Sequence, residues 1–132
     1  MIYTICYISN KTETTDKASL EKIFATTQAN NKHKSVTGIL LFHEQSFLQV
    51  LEGDKTTLQE LFLNIKKDSR HENIFVILDK KNERRIFDNY KSGFSIVKSK
   101  SDIKNLKDYL NLSKSDLTTS KSILSLLEPF LF

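Results

Sequence analysis

A chain of 132 residues fits one domain with a buried core, and 39% hydrophobic with 27% charged residues excludes disordered and fibrous classes. No apolar run nears the roughly 20 residues of a membrane helix, and the N-terminus lacks the layout of a secretory signal, so the cytoplasm is the expected compartment. A net charge of +4 without a basic block argues against nucleic acid as a partner, and one cysteine, Cys6, rules out an intrachain disulfide or a thiolate cage; no metal site is expected.

In chain order, residues 2–8 are β-rich and read as a first strand, followed by a polar loop over 9–15. Asp16 is a candidate N-cap for a helix over about 17–30, in which Leu20, Ile23, Phe24 and Thr27 share a face. Residues 36–43 and 46–52 read as a hairpin. Gly53-Asp54 stops it and caps a second helix over about 55–69, with Leu58, Leu61, Phe62 and Ile65 on one face and Arg70-His71 at its end. The apolar run at 74–79 is a fourth strand, residues 80–83 a turn, and residues 85–96 a fifth strand.

The order βαββαβ plus one strand predicts an α+β, ferredoxin-like sheet with both helices on one face. Residues 97–132 are expected to add two short helices, one with Ile103, Leu106 and Leu110, the other with Ile123, Leu124 and Leu127, packed on the opposite face. The apolar end Phe130-Leu131-Phe132 is expected to be packed as well, and makes a homo-oligomer the expected state.

Polar residues in apolar strands carry the chemistry. Alternation puts Gln49 on the same face as Phe47 and Leu51, where its amide needs partners. Tyr3, Ile5 and Tyr7 share a face of the first strand, so the Tyr7 hydroxyl can meet Gln49 where the two strands are neighbours. The bland alternative is a buried structural Tyr–Gln bond. The helices add Thr27 and Asn31, and Asn64 and Asp68, nearly in line with Ile23 and Ile65. Two such helices on one sheet face can form a slot, apolar inside and polar at its mouth; the alternative is two ordinary helix ends with solvated polar groups.

These residues bring a family into view. Tyr7-x-Ser9, Asn30-Asn31, Val36-Thr37-Gly38, Phe47-Leu48-Gln49-Val50-Leu51-Glu52-Gly53, Asp68-x-Arg70-His71, Arg85-x-Phe87 and Gly93-Phe94 resemble the motifs of BLUF domains, blue-light receptors that bind a flavin. The resemblance covers about residues 2–96 and implies a flavin-binding domain over 1–96 with a helical extension over 97–132. It implies FAD as cofactor, with FMN or riboflavin as alternatives, lying between the helices against Ile23 and Ile65. Asn31 would bond the carbonyl region of the ring with Thr27 and Asn30 in support. Asp68, Arg70 and His71 would hold the ring edge or the tail, and Asn64 stands where the family often has a basic residue facing that tail.

Tyr7 and Gln49 would be the photochemical pair. An electron and a proton leave Tyr7 through Gln49, and their return leaves the amide rearranged and the absorption shifted to the red. The family usually has Trp-Ser-Met just before the Gly-Phe pair; here the chain reads Tyr90-Lys91-Ser92, with no Trp anywhere. Tyr90 and Ser92 are therefore the expected coupling residues from switch to fifth strand. The implied function is a non-enzymatic, stand-alone photoreceptor signalling to another protein. The rival readings are a degenerate relative that binds a partner with little photochemistry, an RNA-binding ferredoxin-like domain, and a flavin redox enzyme.

Overall fold

A computed structural model describes residues 2–112 and, beyond them, Lys121, Ile123 and Ser125. The chain divides into two compact units, Met1–Ile96 and Val97–Phe132. The elements are β1 (Ile2–Lys11), α1 (Lys17–His33), β2 (Thr37–His43), β3 (Ser46–Gly53), α2 (Lys55–Lys67), β4 (His71–Asn82), a 3-10 turn (Tyr90–Gly93), β5 (Phe94–Val97) and α3 (Lys100–Leu112). The strands form one sheet in the order β4-β1-β3-β2-β5, with β3 central and β1 antiparallel to both β3 and β4. The expected α+β, ferredoxin-like order is therefore present.

One sheet face carries both helices of the first unit. Phe24 of α1 and Leu58 of α2 join Ile5, Leu40, Phe47, Leu51 and Phe94 in one core, with Leu20, Ile23, Leu61, Phe62 and Ile65 packed against it. The opposite face is as closed: Thr4, Cys6, Ile39, Leu41, Leu48, Val50 and Glu52 are all fully buried. Strands buried on both faces read as continuous apolar runs, as the sequence of β2 and β3 does.

Local chemistry sets the boundaries. Asp16 caps α1 by accepting from the Ser19 amide at 2.8 Å, and Asp54 caps α2 by accepting from the Thr57 amide at 3.2 Å. Replacing Asp54 by alanine should cost about 1 kcal/mol and lower the thermal midpoint by a few degrees; an unchanged melt would deny the cap its role. The β2–β3 hairpin closes on Glu44 (φ 48°) and Gln45 (φ 71°), the doubly left-handed turn that matches strand twist, here without its usual Asn-Gly. Gly38 (φ 141°) passes so close to β3 that a Cβ there would lie 1.8 Å from the Val50 carbonyl oxygen. In the second unit, α3 opens with reciprocal bonds: the Asp102 amide donates to Ser99 Oγ (3.0 Å) and the Ser99 amide to Asp102 Oδ2 (3.2 Å).

Several expected boundaries are corrected. β1 runs to Lys11 rather than residue 8, and β4 spans His71–Asn82 rather than 74–79. Pairing with β1 carries the polar Lys80, Lys81 and Asn82 into the ladder, where composition alone suggested a turn. α2 ends at Lys67, and His71 opens a strand instead of closing a helix. The fifth strand is only Phe94–Val97; residues 85–93 form no strand. The Ile86 and Phe87 amides donate to the Glu52 carboxylate (2.6 and 3.0 Å) instead of to a neighbouring strand. Lys91 (φ 48°), Ser92 (φ 62°) and Gly93 (φ 100°) then turn the chain through three consecutive left-handed residues. The first expected C-terminal helix is α3; most of the second, and Phe130-Leu131-Phe132, lie outside the described residues.

Candidate functional site

A cleft opens between α1 and α2 above the sheet. Ile23 and Thr27 of α1 face Ile65 of α2 across it, Leu40, Phe47, Gln49 and Tyr7 line its sheet side, and Asp68, Arg70 and His71 complete its lining. Apolar walls with a few convergent polar groups are the ordinary form of a small-molecule site.

Register brings the two central polar residues together. Tyr7 and Gln49 are direct partners in the β1–β3 ladder. Both are 3% exposed, and Gln49 Nε2 donates to the Tyr7 hydroxyl at 2.5 Å. Burial is the largest influence on the Tyr7 phenol and pushes its pKa well above the ordinary tyrosine value; the Gln49 bond opposes this and the nearby Asp68 charge adds to it. Tyr7 is therefore a neutral phenol in any ordinary buffer. The other amide atom, Gln49 Oε1, is buried without a hydrogen-bond partner among the described residues, and so is Nδ2 of Asn31. Each such group costs about 1–3 kcal/mol when left unpaired.

The polar end is built from the turn after α2. Asp68 follows the last helical residue, and Arg70 folds back onto it in a forked pair, Nε to Oδ1 at 2.9 Å and Nη2 to Oδ2 at 2.7 Å. The Arg70 guanidinium holds the Asp68 carboxyl below its usual range. The His71 ring stands 6.2 Å from the rings of both Tyr7 and Phe47.

Of the residues singled out from sequence, Tyr7, Ile23, Thr27, Gln49, Ile65, Asp68, Arg70 and His71 line this cleft. Asn31 is buried one turn beyond Thr27, while Asn30 and Asn64 are exposed and do not line it. Tyr90 and Ser92 belong to the 3-10 turn and not to β5, which corrects the expected placement. Tyr90 is buried with its ring 6.1 Å from that of Phe87; Ser92 is exposed and borders a separate hollow with Lys32, Val36 and Asp88. Leu40 and Phe47 were not singled out as site residues. The signal for both was present, since alternation puts them on the sheet face that carries the helices.

An orphaned acceptor in the lining of the cleft, with an orphaned donor one turn of α1 beyond Thr27, fits a flat ring system with donors and acceptors along its edge. The comparisons agree with that chemistry. The family model for sensors of blue light using FAD, BLUF, matches residues 2–93. The chain is 35% identical over 74 residues to photoactivated adenylate cyclase subunit beta of Euglena longa, which is 56% of this chain and 9% of that protein. It thus spans under a tenth of the length of the Euglena cyclase subunits it matches. Klebsiella pneumoniae BlrP1, solved as a calcium and cyclic-diGMP complex, superposes with a TM-score of 0.72 at 27% identity, over 89% of this chain and 30% of that one. The dark-state structure of BlrB, a BLUF protein, shares the fold with a TM-score of 0.70 at 24% identity, over 96% of this chain and 97% of that one. Through residues 2–93 the chain belongs to the BLUF family, sensors of blue light using FAD.

Proposed function

We propose that this chain binds a flavin in the cleft between α1 and α2 and reports blue light by turning the Gln49 amide beside Tyr7. The single observation that carries the reading is the Tyr7–Gln49 pair, bonded at 2.5 Å with Gln49 Oε1 left unpaired. FAD is the proposed form, with FMN and riboflavin offering the same ring. Ile23 and Ile65 would flank the ring, the Asn31 amide would serve its carbonyl edge, and the Asp68–Arg70 pair with His71 would border the tail. Asn30 and Asn64, both exposed, would act only on a tail that leaves the cleft.

When bound, a flavin supplies blue-light absorption and a strong one-electron acceptor in its excited state. The rest is done by this chain's own groups. Tyr7 is buried and neutral, so loss of an electron to a bound flavin would make its hydroxyl strongly acidic. Gln49 Nε2 only donates, so the proton could pass to Gln49 only through Oε1, in a turned amide. Return of the electron and proton would restore the phenol and permit a different amide orientation. In the present arrangement Nε2 faces Tyr7 and Oε1 points away. A turned amide accepts from Tyr7 and presents its N–H donors where Oε1 stood. That exchange of acceptor for donor would add a hydrogen bond to a bound ring carbonyl, which a red shift of the absorption would report.

The chain is read as a sensor module without chemistry of its own, whose output passes to a partner protein or a second copy. Tyr90, in the turn that leads into β5, is the proposed route outward, with Ser92 beside it. The test is reconstitution. Purified protein mixed with riboflavin, FMN or FAD should turn yellow and show a reversible red shift of several nanometres on blue illumination. A protein that stays colourless with all three overturns the proposal; one that binds without shifting supports the degenerate relative instead.

A further inference from the structure

Ser9 lies two residues beyond Tyr7 on β1 and is 2% exposed. Its hydroxyl stands 2.8 Å from His71 Nδ1, and the other ring nitrogen, Nε2, is 2.7 Å from the Ile65 carbonyl oxygen. A carbonyl oxygen only accepts, so Nε2 carries the hydrogen. In the neutral ring Nδ1 is then the acceptor and Ser9 the donor. Both nitrogens are committed, and the imidazole has no hydrogen-bonding atom left for a ligand. What it offers the cleft is ring surface, against Tyr7 and Phe47.

The backbone is shaped for this contact. The β1–β4 register shifts between Ile8 and Asn10, the stretch that contains Ser9, and Asn73 takes a left-handed φ of 57°. Bulges of this kind re-aim side chains next to functional sites. The Ile65 carbonyl also accepts from the Asp68 amide at 3.1 Å, so it is the carbonyl that terminates α2. One imidazole therefore ties β1, just past Tyr7, to the end of the helix whose Ile65 side chain walls the cleft.

We infer that Ser9 is a positioning residue of this site: it donates to Nδ1 of a His71 ring whose tautomer the Ile65 carbonyl fixes, holds that ring in place and, through it, sets the distance between Tyr7 and the end of α2. The inference concerns the flavin site proposed above, but its first readout needs no flavin. In full-length protein with 15N-labelled histidine, the neutral form of His71 should be a single Nε2–H tautomer with a hydrogen-bonded Nδ1. Ser9→Ala should keep that tautomer, move the Nδ1 resonance as its donor is lost, and speed amide exchange over residues 66–68 by roughly fivefold, the size of one neutral hydrogen bond. Ser9→Thr, which keeps the hydroxyl, should restore both.

With FAD added, Ser9→Ala should change the dark-recovery rate severalfold and Ser9→Thr should return it toward that of the unsubstituted protein. An unchanged Nδ1 resonance or unchanged amide exchange in Ser9→Ala, or a changed recovery that threonine does not rescue, overturns the inference. If even the unsubstituted protein takes up no flavin, the flavin reading fails alone, and the Nδ1 and exchange arms still decide the role of Ser9.

Discussion

Gln49→Leu should bind flavin and show no light-induced red shift. Leucine fills nearly the same volume, and the site loses two things of opposite sign. The Tyr7 hydroxyl loses its 2.5 Å partner, which costs about 1–3 kcal/mol for a buried group. The unpaired Gln49 Oε1 disappears with the amide, which returns an amount of the same order. Net stability should therefore move little, and the apolar walls from Ile23, Ile65, Leu40 and Phe47 are untouched. What leucine cannot do is exchange an acceptor for a donor by turning.

The size of the effect explains why an amide suits the task. A neutral hydrogen bond is worth about 1 kcal/mol net, so two orientations of one carboxamide lie close enough in energy to be repopulated and to reset. A charged pair such as Asp68–Arg70, held by a fork of short bonds, would not reset so readily. Spectra of the reconstituted variant before and after blue light decide the matter. A full red shift in Gln49→Leu removes Gln49 from the mechanism, whereas loss of binding would mean that the amide holds the ligand instead of responding to it.

Sequence periodicity carried the reading a long way because this site is built on regular elements. The Tyr7–Gln49 pair follows from alternation in two strands and from the ferredoxin-like order that makes them neighbours. Ile23, Thr27 and Ile65 follow from helical spacing on α1 and α2. Periodicity fails where backbone groups find partners outside a ladder or helix. Arg85-Ile86-Phe87 has the look of a strand, yet the Ile86 and Phe87 amides go to a side chain, that of Glu52 in β3.

The same reason hid the position of Tyr90 and Ser92, since nothing in Lys91-Ser92-Gly93 except the glycine announces three left-handed residues in a row. Edge strands escape in another way. β4 is paired on one side only, so it tolerates lysines and asparagine that composition assigns to a turn. Asn30 and Asn64 lie in the right helices but on turns of the spiral that face solvent, and only the tertiary rotation of each helix decides that.

Glu52→Ala should be the most destabilising of the substitutions considered, with the thermal midpoint falling by roughly 10 °C or more. Glu52 is fully buried at the end of β3 and accepts from Thr37 Oγ1 (2.9 Å) and from the Ile86 and Phe87 amides. Arg85 closes the arrangement by donating to the Ser35 and Glu52 carbonyls (2.8 and 3.2 Å) and to Thr37 Oγ1 (3.0 Å). Alanine leaves two buried amides without an acceptor, at about 1–3 kcal/mol each. It also releases the segment that carries Tyr90.

Charge gives this carboxyl a second, separable signature. Burial outweighs the hydrogen bonds and Arg85 and raises its pKa above the ordinary glutamate value. The folded state thus holds the Glu52 proton more tightly than the unfolded state. Its contribution to stability is complete below the ordinary glutamate pKa and declines as pH rises through the higher folded value. Asp68 behaves oppositely: its pKa is lowered chiefly by Arg70, so its contribution is present above the ordinary aspartate range and is lost as pH falls through the lower folded value.

Glu52→Gln keeps one acceptor and removes the titration, so it should melt between the parent and Glu52→Ala at acid pH. Its midpoint should also fall less steeply than the parent's as pH rises toward neutrality, while the acid limb governed by Asp68 stays in place. Parallel melting curves for parent and Glu52→Gln across that range would mean that Glu52 ionises in the folded protein as easily as in the unfolded chain. The clasp would then be held by geometry alone.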